Sequence, residues 1–189
     1  MACWLLNRSP QHWLIFNPKW TKAYDALPDA QTIKGFDLRK INRSLERNRF
    51  TVVNPQGHET KWDIMDAVIE YYHEGFENIG LCLDELYYLH NNGRAGDGLT
   101  GWLTRGRELK QAFLGQTQRP AWISQFLFSE ADYICTMTLN LLKDRKTMRD
   151  ATGQDLLMTE FPERKWYWYD VGKNHLQRYG AVPPLTKAP

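Results

Sequence analysis

The sequence predicts an α/β fold built on a mainly parallel sheet, and three observations predict it. Short apolar runs recur along the chain, several of them apolar at nearly every position, as strands buried on both faces are. Amphipathic stretches at helical spacing lie between these runs, so strand and helix alternate. Polar and charged residues follow directly on several runs, where the loops of a parallel sheet diverge and ligands bind.

The elements follow in order. HWLIF (12–16) is the first strand, closed by the breaker Asn17-Pro18. FTVVN (50–54) is the second, closed by Pro55 and Gly57. Residues 60–75 form a helix, because Trp62, Met65, Val68, Ile69 and Tyr72 fall on one face and Gly75 ends the pattern. NIGLCLD (78–84) is the third strand. The Gly- and Asn-rich stretch 90–101 predicts a mobile loop, and 99–110 an amphipathic basic helix. QAFLGQTQ (111–118) is a further strand, followed by a short helix over 121–128 behind Pro120. DYICTMTL (132–139) and KWYWYDV (165–171) are the remaining strands, separated by a basic helix over 141–151 that stops at Gly153.

With 189 residues the chain is long enough for one substantial core, so 1–179 is expected to be a single domain and the Pro-rich 180–189 a flexible tail. A content of 42% hydrophobic and 24% charged residues argues against disorder. The net charge of +2 leaves attraction to nucleic acid to local patches. Two basic clusters offer them: Lys143, Arg145, Lys146 and Arg149, and the group Arg39, Lys40, Arg43, Arg47 and Arg49. Each fits a DNA backbone or a solvated helix face equally well. Cys3, Cys82 and Cys135 are too far apart for a zinc site and read as reduced thiols. No apolar run approaches the ~20 residues of a membrane span and no cleavable leader is visible, so the expected location is cytoplasmic. His12, His58, His73, His90 and His175 lack metal-ligand spacing and read as surface residues. The rings of KWYWYDV read as packing on both sides of a terminal strand rather than as a base-stacking platform, and Trp20, Trp102 and Trp122 as core or interface fillers.

The third strand ends in two adjacent carboxylates, Asp84 and Glu85. At the C-terminal rim of a parallel sheet, an aspartate can hold a hydrated Mg²⁺ and a neighbouring glutamate can orient or deprotonate an attacking water. The same pair also suits the start of a helix, where acidic side chains favour the dipole. A second strand ends in Thr117 and Gln118, neutral hydrogen-bonding groups suited to sensing a terminal phosphate. Between the two strands lie Arg105 and Arg107, fit to neutralise charge in a phosphoryl-transfer transition state.

In this order, GLCLDELYYL followed by LTRGRELKQAFLGQTQRPAWISQFLFSEADYICTMTLNLLKDRKTMRDATG resembles the FtsK/HerA superfamily of P-loop ATPases, which contains DNA translocases and viral genome-packaging ATPases. The similarity covers about residues 12–152. It implies a three-layer RecA-like core, ATP and Mg²⁺ as cofactors, DNA as a sequence-nonspecific partner, and a homo-oligomeric ring in a bacterial or phage-infected cell. By that resemblance Asp84 matches the Walker B magnesium-site aspartate, Glu85 the catalytic glutamate and Gln118 the sensor glutamine. Arg105 or Arg107 matches an arginine finger acting on a neighbour's site. LIFNPKW resembles the family's strand ending in Asp-Pro-Lys, with Asn17 in place of the Asp.

The 189 residues contain no G-x-x-x-x-G-K-[ST] phosphate loop, and NGRAGDGLTG has no Gly-Lys-Ser/Thr. ACWLLNRSP looks like the end of the helix that follows this loop in the family. The expectation is therefore a core lacking its first strand and phosphate loop, with the gap between the Walker B strand and a later strand. The functional expectation is an ATP-hydrolysing DNA translocase or phage packaging motor subunit, inactive without the loop. The alternatives are a non-hydrolysing scaffold or regulatory subunit, a Zot-like assembly ATPase of filamentous phages, and a nucleic-acid-binding module driven by the basic segments.

Overall fold

The computed structural model describes residues 1–91, 94–159 and 165–182. These divide into two compact units, one over residues 1–118 and the other from residue 119 onward, where the sequence had suggested one body over 1–179.

The first unit is built on five strands: β1 (His12–Phe16), β2 (Ala30–Lys34), β3 (Phe50–Asn54), β4 (Ile79–Leu83) and, past a short antiparallel pair β5 (His90–Asn91) and β6 (Arg94–Ala95), β7 (Ala112–Gly115). Their order is β2-β3-β1-β4-β7, and every neighbouring pair is parallel. β2 is absent from the sequence reading, because AQTIK alternates with exposed polar residues and only Ile33 is buried, as suits an edge strand. β4 pairs with β1 on one side and β7 on the other. The expected gap beside the Walker B strand is thus not there, and the sheet ends instead at β2 and β7.

Five helices and helical turns bear on the sheet. α1 (Ala2–Leu6) precedes β1, and α2 (Leu38–Leu45) starts at Asp37, whose carboxylate accepts the Lys40 N–H at 3.1 Å. α3 (Trp62–Gly75) packs along α4 (Asp97–Arg105). The α3 residue Asp66 caps α4 by accepting the N–H groups of Gly98 (3.0 Å) and Leu99 (2.9 Å). A Cβ on Gly96 would lie 2.1 Å from the Asp66 carboxylate, so this approach requires glycine. Part of the expected 90–101 loop is therefore helix, since α4 begins at Asp97 and ends at Arg105 rather than at residue 110.

Leu6, Trp13, Ile15, Tyr24, Leu27, Phe50, Val52 and Cys82 form a core on one side of the sheet. Leu14, Phe16, Leu81 and Leu83 alternate with them and are equally buried, which explains why β1 and β4 read as continuous apolar runs. Trp102 is buried and donates its indole N–H to the Ala112 carbonyl at 3.1 Å. His73, expected at the surface, is buried and bonded through Nδ1 to Gln111 Oε1 at 2.7 Å, because its helix face turns toward α4 and the start of β7.

The second unit carries α5 (Gln125–Ser129), β8 (Tyr133–Thr136), α6 (Leu142–Thr152), β9 (Trp166–Asp170) and β10 (His175–Tyr179). The single helix expected over 121–128 is a 3-10 turn at Pro120–Trp122 followed by α5, which Ser124 caps. β8, β9 and β10 form an antiparallel sheet of order β10-β9-β8, correcting the expectation that 132–139 and 165–171 extend a parallel sheet. The reason is local: only four residues join β9 to β10, too few for a parallel crossover. β9 is central rather than terminal, with Tyr167 and Tyr169 packed on Ile134, Met148 and Leu157. Trp166 and Trp168 face away from that cluster; Trp168 meets Tyr133 at 5.0 Å and Trp166 stacks on Tyr179 at 4.4 Å. In this unit Asp144 is buried and accepts from Arg119 Nε and the Ala121 N–H, both at 3.0 Å. The expected tail lies outside the described residues from 183 onward.

Candidate active site

Because β1, β3, β4 and β7 are parallel, the segments that follow them all leave the same rim of the sheet. Asn17 to Thr21 follow β1, Asn54 and Pro55 follow β3, Asp84 and Glu85 follow β4, and Gln116 to Gln118 follow β7. The Asp84 N–H donates to the Phe16 carbonyl at 3.0 Å, and the Gln116 N–H to the Leu83 carbonyl at 3.0 Å, so the ladder carries on one residue past the strands. This fixes Gln116 level with Asp84.

Asp84 is held by three side chains. Its Oδ1 accepts from the Tyr24 hydroxyl at 2.7 Å and from Gln116 Nε2 at 3.3 Å, and its Oδ2 accepts from Thr21 Oγ1 at 2.9 Å. Gln116 Nε2 also donates to the Tyr24 hydroxyl at 2.7 Å. Burial, reinforced by Cys82 and Asp84, pushes the Tyr24 phenol far above its ordinary pKa, so it remains a donor at every accessible pH. Lys19, Thr21, Asp84, Gln116, Thr117 and Gln118 line one polar pocket of about 240 Å³.

Glu85 lies beside that pocket but is buried, with Oε2 paired to Lys19 Nζ. Its other oxygen, Oε1, is buried and has no hydrogen-bond partner among the described residues. The loop from β1 is pinned below. Asn17 Nδ2 donates to Asn54 Oδ1 (2.9 Å) and to the Thr21 carbonyl (3.2 Å), while its Oδ1 accepts the Thr21 N–H at 2.8 Å. An aspartate at position 17 has no amide to donate, so Asn17 serves as a clasp between β1 and β3. Trp20 sits at a φ of 55° and donates its indole N–H to the Pro55 carbonyl at 3.1 Å.

Asp84, Thr117 and Gln118 thus converge as the sequence indicated, with Glu85 adjacent. Arg105 and Arg107 do not join them. Both are exposed at the end of α4 and in the turn behind it, where the Leu109 carbonyl accepts from the Asn78 N–H at the start of β4. That is the opposite rim of the sheet. Of the basic group on α6, Lys143 and Lys146 are exposed. Arg149 pairs with Asp150 at 2.7 Å, and Arg145 donates to the Met158 carbonyl at 3.3 Å. Lys19, Thr21, Tyr24 and Gln116 are site residues that sequence reasoning missed. Register holds the signal for Gln116: Gly115 pairs with Leu83, so the next residue on each strand stands at equal height.

Carboxylates and an amide at the C-terminal rim of a sheet with this strand order give the chain the α/β fold of viral genome-packaging NTPases. No family model matches the chain. It is 27% identical over 195 residues to the DNA packaging ATPase P9 of Enterobacteria phage PRD1, across 96% of this chain and 81% of that protein. It also superposes, with a TM-score of 0.75 and 13% identity, on the genome packaging NTPase B204 of Sulfolobus turreted icosahedral virus 2 in complex with ATP-gammaS, covering 96% of this chain and 88% of that one. The AMPPCP complex of the same protein gives a TM-score of 0.72 at 12% identity, again over 96% of this chain and 88% of that one.

Proposed function

We propose that this chain is a subunit of an ATP-driven viral genome-packaging motor and carries the metal, base and sensor side of its ATPase site. The observation that carries the reading is the convergence of Asp84, Gln116, Thr117 and Gln118 on one pocket, with Glu85 beside it. The similarity to packaging ATPases supports it.

The rim offers hard oxygen donors, which suits Mg²⁺. A carboxylate has about four lone-pair sites, and Asp84 uses three on Tyr24, Gln116 and Thr21. The one that remains suits contact with a metal through water, and Thr21 Oγ1 is the neighbouring oxygen. When bound, the ion neutralises phosphate charge. Glu85 orients and deprotonates the attacking water, and Thr117 and Gln118 contact the terminal phosphate. Arg105 and Arg107, on the far rim, serve the site of an adjacent subunit in a ring. The exposed Lys143 and Lys146 face the DNA backbone, a contact that needs charge and no base readout.

The absence of a G-x-x-x-x-G-K-[ST] motif from these residues favours one alternative, a scaffold that keeps the fold without hydrolysis. Turnover assays separate the two. The 189-residue chain should show negligible ATPase activity, and a chain that also carries a phosphate loop should hydrolyse ATP with magnesium. In the latter, Glu85→Gln should lower kcat about 10²–10⁴-fold while ATP still binds. Turnover unaffected by this substitution rejects the assignment.

A further inference from the structure

We propose that Lys19 is the positioning residue for Glu85: it holds the carboxylate back from the pocket and releases it when a terminal phosphate draws the ammonium away. The inference rests on the ATPase reading above and concerns how its base is delivered.

Three observations carry it. First, the two groups are ion-paired, yet only Lys19 belongs to the pocket wall. The Lys19 side chain is 33% exposed and that of Glu85 8%, so the cation is open to a ligand and the carboxylate is not. Second, Glu85 Oε1 is buried with no partner among the described residues. A buried carboxylate satisfied on one oxygen only is costly, and Lys19 offsets that cost. Third, the backbone around Lys19 is fixed while its side chain is long. Asn17 clasps Thr21 and Asn54, and Trp20 is tied to Pro55, so residues 17–21 stay in place. Four methylenes still let the ammonium swing between two anions.

A terminal phosphate carries more charge than a carboxylate and so competes well for the same cation. Once Lys19 turns to it, Glu85 is an unpaired charge in an enclosed site and is driven toward the water of the pocket. Arrival of the anion and availability of the base become one event. In an empty site the base stays tied up.

A double-mutant cycle on ligand binding tests this, with inorganic tripolyphosphate as the probe and calorimetry on the 189-residue chain. Glu85→Gln removes the carboxylate's hold on the ammonium and should tighten binding about tenfold. Lys19→Met should weaken binding. Adding Glu85→Gln to Lys19→Met should then change affinity by no more than about twofold. Lys19→Arg, which keeps a cation, should retain the tightening, and circular dichroism melts verify that each variant is folded. Equal tightening in both backgrounds means that Glu85 merely repels the ligand, and overturns the proposal. So does the absence of tightening, or of binding by any variant. If the cycle holds but turnover of a loop-bearing chain ignores Glu85, the ATPase reading fails alone. An additive cycle alongside Glu85-dependent turnover rejects only the role of Lys19.

Discussion

Tyr24→Phe removes one hydroxyl from the grip on Asp84 and leaves the ring in place. Tyr24 is 2% exposed, and its hydroxyl donates to Asp84 Oδ1 and accepts from Gln116 Nε2, each at 2.7 Å. A hydrogen bond to a charged group contributes roughly 1.5–3 kcal/mol. Two features keep the loss from the upper end. No buried hydroxyl is left behind, and Gln116 Nε2 already stands 3.3 Å from Asp84 Oδ1 and can close in. The expected destabilisation is about 2 kcal/mol. With a urea dependence of about 2 kcal/mol per molar, the midpoint should fall by roughly 1 M at unchanged slope, read by tryptophan fluorescence. In an Asp84→Asn background the acceptor is neutral, and the same substitution should cost only about 1 kcal/mol. If Tyr24→Phe costs less than about 0.5 kcal/mol in the native background, within the range of an ordinary surface change, the hydroxyl does not hold Asp84 and the reasoning fails.

Two further outcomes test the packing around the rim and the second unit. A Cβ at Gly80 would lie 2.5 Å from the Trp13 ring, so Gly80→Ala should destabilise by about 1–3 kcal/mol in urea melts, and Trp13→Leu in the same chain should recover part of the loss. Asp144→Ala strands the Arg119 guanidinium and the Ala121 N–H, and should cost about 3 kcal/mol, seen as faster hydrogen exchange at the Ala121 amide.

The strands of the rim were legible because burial on both faces leaves no polar position in HWLIF, FTVVN or IGLCL. Asp84 and Glu85 stood out for the same reason, as charges that interrupt an apolar run. β2 was hidden, since an edge strand with one buried side chain has almost no periodicity. β10 was hidden likewise, its HLQRY exposed at four of five positions. The partners of Asp84 were illegible for a different reason. Tyr24 sits in a 3-10 turn with no pattern of its own, and Lys19 and Thr21 belong to a loop whose course is set by the Asn17 clasp. Gln116 was passed over in favour of Thr117 and Gln118 because a one-residue choice at a strand end depends on register, which only pairing fixes.

None of the pairings in the parallel sheet is made between adjoining hairpin strands. Ala30 meets Phe50 across 20 positions of chain and His12 meets Ile79 across 67. Lys19 and Glu85 are 66 residues apart, and Tyr24 and Gln116 are 92. Such long closures slow folding, whereas a hairpin like β9–β10 can form in about 1–10 μs. On a newly made chain, then, the nucleotide pocket matures late. Molecules that already show ordered antiparallel structure near the C-terminus will still be chemically blank, and gain of activity should trail gain of secondary structure in a refolding time course.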